Sequence, residues 1–407
     1  MKKTMKAIVA CITCLTMAAS LTACSGDSGT SGSGSTAAPA PAAESQGGEG
    51  EGVQAPSVDI DRATEFVTIA TGPTSGIYYP IGGAFATVLG NAGYKTSAQA
   101  TGASVENINL ITAGEAELAI AMQDSVMQAY EGFGAFETPN TELRAAMRLW
   151  PNYVQLVTTA NTGIKSVEDL KGKRVGVGAP NSGVELNARM IYEAYGMTYE
   201  DSEVDYLSYG EAIDQMKNGQ CDAAFVTSGL PNSTVSELAF SYDMVIVPID
   251  GDGRDNLINK YPFFAASIIP ADTYNNEEDV ESVFVYNIML VNKDLSNDMV
   301  YDMMDCIFND IGSIKASHNT ADQNIDVTFG VDDVKIPLHD GAAKWWQDHG
   351  YDTPQNYAII LRSYSADSFS FVCFFCRSVP AAAERISGHQ EPGVGRHLCE
   401  SAGGDRR

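Results

Sequence analysis

The residues best suited to chemistry sit in a series of short polar turns, each lying between an apolar stretch and a helical one. Gly72, Pro73, Ser75 and Gly76 end the apolar run Phe66-Val67-Thr68-Ile69-Ala70-Thr71. Thr101-Gly102-Ala103-Ser104 follows the stretch Tyr94 to Ala100, and Gln123-Asp124-Ser125 follows Leu118 to Met122. Further on, Ala179-Pro180-Asn181-Ser182-Gly183 and Thr227-Ser228-Gly229 repeat the pattern. A turn of this kind leaves unpaired backbone N–H groups and the positive end of a helix dipole facing outward, which is a cradle for an anion where glycine lets a ligand approach.

Other chemistries fit the sequence poorly. A phosphate-binding P-loop needs G-x-x-x-x-G-K-[ST], but Gly76 is followed by Ile77 and Tyr78. The pair Gly176 and Gly178 lacks the third glycine of a dinucleotide fingerprint, because residue 181 is asparagine. The body offers only His318, His339 and His349 for acid–base work, and the last two are far in sequence from every polar turn. They read as surface or structural histidines. No catalytic residue, metal site or cofactor is expected.

The elements that position the turns follow from periodicity. Phe66–Thr71 is short, apolar and β-branched, as suits a strand covered on both faces. After it, Ile81, Ala84, Phe85, Val88 and Leu89 recur at helical spacing. Ser104 reads as an N-cap, with Val105, Ile108 and Ile111 turned inward and Gly114 ending the helix. Leu143–Trp150 and Val154–Thr159 read as strands around Pro151. Helices are expected after Ser182, over Glu211–Lys217, over Asn297–Lys315 and over Gly341–His349, with strands at Val204–Leu207, Asp222–Val226 and Met244–Ile249. In open parallel sheets ligands collect outside the carboxyl ends of strands, where these turns lie. Two such units suggest two lobes around a cleft, with crossings near Tyr153 and Phe263. Residues 58–152 and 264–357 would form lobe I and 153–263 lobe II.

At 407 residues the chain suits two or three domains. Its net charge of −27 argues against nonspecific nucleic-acid binding, which needs clustered lysine and arginine. A local cradle of N–H groups can still outweigh that screened field. Residues 1–24 read as a secretory signal: Lys2, Lys3 and Lys6, then an apolar run too short to span a bilayer comfortably. Its end, Leu21-Thr22-Ala23-Cys24, resembles a bacterial lipobox, which implies lipidation of Cys24 and an extracytoplasmic, membrane-anchored protein. Residues 25–57 are Gly, Ser, Ala and Pro with a few acids, the composition of a flexible tether. Cys221 and Cys306 read as buried thiols. The stretch 358–407 has arginine but no lysine and a run of Phe and Cys foreign to the rest. It reads as unstructured sequence beyond a lost reading frame; Cys373, Cys376, His389 and His397 miss zinc-finger spacing.

Five stretches, 71–86, 99–132, 166–196, 219–232 and 336–350, together resemble the TAXI-type solute receptors of TRAP (tripartite ATP-independent periplasmic) transporters. They include TGPTSGIYYPIGG, TGASVENINL and KRVGVGAPNSG. The resemblance implies an α/β, type II periplasmic-binding-protein fold, two lobes joined by a two-strand hinge, and no catalysis. It also implies delivery of a small carboxylate, glutamate-like or a dicarboxylate, to a TRAP permease. Carried over by position, the ligand shell would comprise Ser75, Gly76 and Tyr78, then Thr101, Ala103, Ser104 and Asn107, then Gln123 and Asp124. Pro180, Asn181, Ser182, Gly183 and Val184 would face them, with Thr227 and Ser228 behind. Asp124 reads either as a ligand or as an N-cap, and Tyr79 and Tyr130 as wall or core. The chain departs from the family at Ile77, where a threonine is common. An ABC-type receptor for a sulfonate, phosphonate or pyrimidine, and a ligand-sensing surface lipoprotein, are the alternatives.

Overall fold

The computed structural model describes residues 60–328 and 330–353. The expected signal segment with Cys24, the tether and the stretch 358–407 lie outside these residues.

Three strand–helix pairs come first: β1 (Phe66–Ala70) with α1 (Tyr78–Asn91), β2 (Lys95–Gln99) with α2 (Ser104–Ala113), and β3 (Leu118–Met122) with α3 (Gln123–Glu131). The long β4 (Arg144–Thr159) leads to a second set, β5 (Arg174–Gly176), α4 (Gly183–Ala194), β6 (Glu203–Asp205), α5 (Tyr209–Lys217) and β7 (Ala223–Ser228). Then come α6 (Ser233–Ser241), β8 (Met244–Val247), α7 (Gly251–Lys260), β9 (Ala265–Ile269) and the long β10 (Val280–Val291). Helices α8 (Asn297–Asn309), α9 (Ile311–Lys315), α10 (Asn319–Asn324) and α11 (Asp340–Asp348) complete the described chain.

The sheet shows why the turns meet. Its order is β2-β1-β3-β10-β4-β7-β5-β6, with β8 on β4 and β9 on β10. Each half repeats one plan. In the first, β2, β1 and β3 are parallel and β10 runs antiparallel beside β3. In the second, β6, β5 and β7 are parallel and β4 runs antiparallel beside β7. The carboxyl ends of β1 and β3 therefore face those of β5 and β7 across the two long strands. The result is a mixed α/β fold with a curled sheet of the periplasmic-binding-protein kind.

Three boundaries differ from the sequence reading. Pro151 does not split β4; it sits inside a 16-residue strand. There the ladder with β10 is irregular, with Pro151 opposite Tyr286 and Arg148 opposite Ile288. A bulge tolerates the missing proline N–H. The chain also returns to the first half along β10, not at Phe263. Phe284 pairs with Tyr153, while Asn287 to Val291 pair with β3. The Tyr274 hydroxyl donates to Gln155 Oε1 at 2.6 Å and accepts from Asn232 N, which ties residues after Phe263 to the second half. The expected helix 297–315 breaks at Asp310, where φ is −123° and ψ 36°. Cys221 and Cys306 are free and buried, as expected. Among the described residues no helix is long and apolar enough to cross a membrane, and no group of His, Cys, Asp and Glu is placed to hold a metal.

Candidate functional site

Helix starts normally carry Ser, Thr, Asp or Asn at the N-cap, whose side chain accepts an orphan N–H. In the first half of the sheet this rule fails three times in one place. The N-caps of α1, α2 and α3 are Ile77, Ala103 and Met122, and none makes a side-chain cap bond. All three line the same cavity, with Gly72, Gly76 and Tyr78. Val184, Tyr209, Thr227 and Ser228 close it from the second half, and Asn152 forms its floor. Ala103 has φ 80° and ψ −141°. That conformation belongs essentially to glycine and costs an L residue about 1–3 kcal/mol. The cavity is about 30 Å³.

The two sides touch through specific contacts. Asn181 O accepts from Glu106 N at 3.3 Å. Gly183, at the start of α4, comes so close that a Cβ there would lie 2.3 Å from Met122 Cε and 2.9 Å from the hydroxyls of both Ser104 and Ser125. Asn187 Nδ2 donates to Asp124 Oδ2 at 2.8 Å. Around this seam, buried polar atoms lack partners: both amide atoms of Gln123, Asp124 Oδ1, Ser125 Oγ, Asn187 Oδ1 and Thr227 Oγ1. Such atoms are rare in folded proteins, and each costs about 1–3 kcal/mol when left unpaired.

Burial sets the electrostatics. Asp124 is fully buried. Desolvation pushes its carboxyl up to about 7, against the opposing pull of neighbouring amides and of Asn187. Burial likewise raises the Tyr78 hydroxyl well above its ordinary value. Below the cavity runs an amide network. Trp150 Nε1 donates to Asn152 Oδ1 at 3.0 Å, and Asn152 Nδ2 donates to Tyr78 Oη at 3.3 Å and Asn287 Oδ1 at 3.2 Å. Asn287 Nδ2 donates to Trp150 O at 2.9 Å, and the Tyr78 hydroxyl donates to Asn287 Oδ1. The network joins the crossing of β4 and β10 to the start of α1.

The structure sorts the residues expected from sequence. Gly76, Tyr78, Ala103, Val184, Thr227 and Ser228 line the cavity. Ser104, Gln123, Asp124 and Gly183 lie along the seam beside it. Others are occupied elsewhere. Asn107 Nδ2 donates to Thr71 O and Ile120 O, and its Oδ1 accepts from Thr101 Oγ1, so both residues tie β1, α2 and β3 together. Ser182 caps α4, its Oγ accepting from Glu185 N at 3.2 Å and donating to Ala179 O at 2.7 Å. Pro180 and Asn181 are exposed; the Pro180 carbonyl lies near Gly102, and the Asn181 carbonyl accepts from Glu106 N on α2. Ser75 is half-buried and does not line the cavity. Asp124 is no N-cap; Met122 holds that position.

Sequence reasoning passed over Asn152, Asn287, Tyr209, Met122 and Asn187. The first two carried a signal: a lone amide inside an apolar strand must find buried partners. Tyr209 stands beside Ser208, whose capping box with Glu211 fixes the start of α5. It gave no sign that its hydroxyl would reach Thr227 O, at 2.7 Å.

The topology brings the two halves of the mixed α/β fold together around this small cavity. The chain belongs to the NMT1-like family, whose model matches residues 69–350. Among solved structures it is similar to the periplasmic aliphatic sulphonate binding protein SsuA from Escherichia coli, at 14% identity, covering 74% of this chain and 82% of that one, with a TM-score of 0.38. It is similar also to PhnD1 from Prochlorococcus marinus in complex with methylphosphonate, at 11% identity, 73% and 96% coverage and a TM-score of 0.41. An ancestral arginine-binding protein bound to arginine matches at 15% identity, 64% and 96% coverage and a TM-score of 0.39.

Proposed function

We propose that this chain is an extracytoplasmic solute receptor, not an enzyme, that closes on a small carboxylate-bearing solute and presents it to a membrane permease. One observation carries the reading: three uncapped helix starts and a group of unpartnered buried polar atoms meet where the two halves of the sheet face each other. A carboxylate can accept from N–H groups at such starts, and the ligand favours the closed arrangement by touching both sides. Residues up to about the β4 crossing and those after the β10 crossing would move as one lobe, and the residues between as the other. Lipidation of Cys24 would hold the receptor at the membrane.

The permease in this proposal is a TRAP-type secondary transporter that takes a glutamate-like amino acid or a dicarboxylate, on the strength of the TAXI resemblance. An ABC-type receptor for a sulfonate, phosphonate or pyrimidine uses the same fold, and the solved structures named above accord better with that class. Thermal-shift screening of the full chain against carboxylates, amino acids, sulfonates and phosphonates tests the receptor. A melting temperature unmoved by every one of them would refute it. Uptake of the identified solute by vesicles containing the candidate permease then separates the two partners: dependence on an ion gradient supports TRAP, and dependence on ATP supports ABC.

A further inference from the structure

The unpartnered atoms along the seam are unequal in kind. Gln123 Oε1, Asp124 Oδ1 and Asn187 Oδ1 are oxygens that only accept; Gln123 Nε2 only donates; the hydroxyls of Ser125 and Thr227 do either. The seam thus offers more acceptors than donors, and one acceptor is a carboxylate. No residue lining the cavity carries a cationic side chain. Two carboxylates on a ligand would find one cradle at the helix starts and a third acid at the other end.

We propose that Asp124 selects a ligand bearing an ammonium group beside its anionic group, so that the solute is a zwitterion such as an amino acid or aminosulfonate and not a dicarboxylate. This rests on the solute-receptor reading. The ammonium donates to Asp124 Oδ1, with Gln123 Oε1 and Asn187 Oδ1 as further acceptors, while the anionic group takes the N–H groups at the starts of α1, α2 and α3. One bound group then satisfies oxygens from both sides, and Asn187 is drawn to α3 through Asp124.

The pH dependence has a definite sign. Burial holds the Asp124 carboxyl at about 7, and an ammonium requires it ionised. Other charged groups on the elements packed against α3 have partners of their own. Glu106 on α2 accepts from Gly102 N, Glu185 pairs with Arg189 on α4, and Glu193 pairs with Lys260. Tyr192 on α4 donates to Ser202, Tyr286 on β10 lies under Arg148, and Tyr78 is held neutral by burial.

Matched pairs test the proposal on the full chain by titration calorimetry: L-glutamate against 2-hydroxyglutarate, and taurine against isethionate. The amino member should bind at least tenfold tighter in whichever pair binds. Its affinity should fall below pH 7 by up to about tenfold per unit. Asp124→Asn should erase the preference between members. A hydroxy member that binds equally well, or affinity that rises as pH falls, overturns the proposal and leaves the receptor intact. Binding by none of the probes, with no thermal shift from the wider panel, overturns both. The wild-type pH profile decides the matter even if the variant fails to fold.

Discussion

Replacing Gly183 by alanine should hold the cleft open without damaging either half of the sheet. Gly183 is the first residue of α4 with an ordinary backbone conformation, so alanine costs the helix nothing and slightly favours it. The nearest obstruction lies across the seam, where the new Cβ would stand 2.3 Å from Met122 Cε and 2.9 Å from Ser104 Oγ and Ser125 Oγ. The Met122 methyl ends a flexible chain and can swing away, and the Ser125 hydroxyl has no partner to lose. Ser104 Oγ is fixed, because it accepts from Met122 N at 3.1 Å. Overpacking of this kind costs about 1–3 kcal/mol. If it falls wholly on closure, ligand affinity drops about 5- to 150-fold at about 1.4 kcal/mol per tenfold. Titration calorimetry with a solute that the wild type binds measures the loss, and small-angle scattering of the saturated protein should show a larger radius of gyration. Wild-type affinity together with an unchanged radius would show that the seam does not govern binding.

Three further outcomes follow from the same contacts. The raised Asp124 carboxyl, about 7 against an ordinary 3.8, favours the neutral form in the folded chain. The stability it contributes is therefore fully present below the ordinary carboxylate range and lost as pH rises through about 7, by up to about 4 kcal/mol at 1.36 kcal/mol per unit. Urea unfolding at pH 5 and pH 8 should show a steeper decline for the wild type than for Asp124→Asn, and equal slopes would refute the assignment. Asn107→Ala should destabilise by about 2–4 kcal/mol in denaturant unfolding, since the acceptors Thr71 O and Ile120 O lose a buried donor; loss of affinity at unchanged stability would return Asn107 to the ligand shell. Asp302→Ala removes the carboxylate that accepts from Arg62 Nε and Nη2 at 2.7 Å and from Tyr94 Oη at 2.6 Å. With 36% of the Arg62 side chain exposed, the loss should be about 2–3 kcal/mol, below the fully buried range, and a change under 0.5 kcal/mol would mark the pair as a passive surface contact, about the scale of surface substitutions.

Local pattern was enough for most elements. The apolar run Leu118–Met122 and the helical spacing from Ile81 to Leu89 each report a face that must be covered, and burial of one face is a short-range property of sequence. The polar turns were legible for the same reason, because glycine, serine and asparagine between two periodic segments leave few other roles. Which atoms of those turns remain free was decided only in three dimensions. Asn107, Thr101 and Ser182 have the side chains of ligand contacts, yet each is consumed by a carbonyl or amide brought near by the packing of β1, α2, β3 and α4. Asp124 and Asn187 are separated by 63 positions, and nothing in either neighbourhood announces the other. The crossing on β10 was hidden because strand pairing across the sheet depends on register between distant segments, and Phe263 looked as good a boundary as Phe284. The sequence by itself determined that helix starts would gather at strand ends; the tertiary structure decided that they face each other across Gly183, because only long-range packing sets which buried polar atoms find partners and which do not.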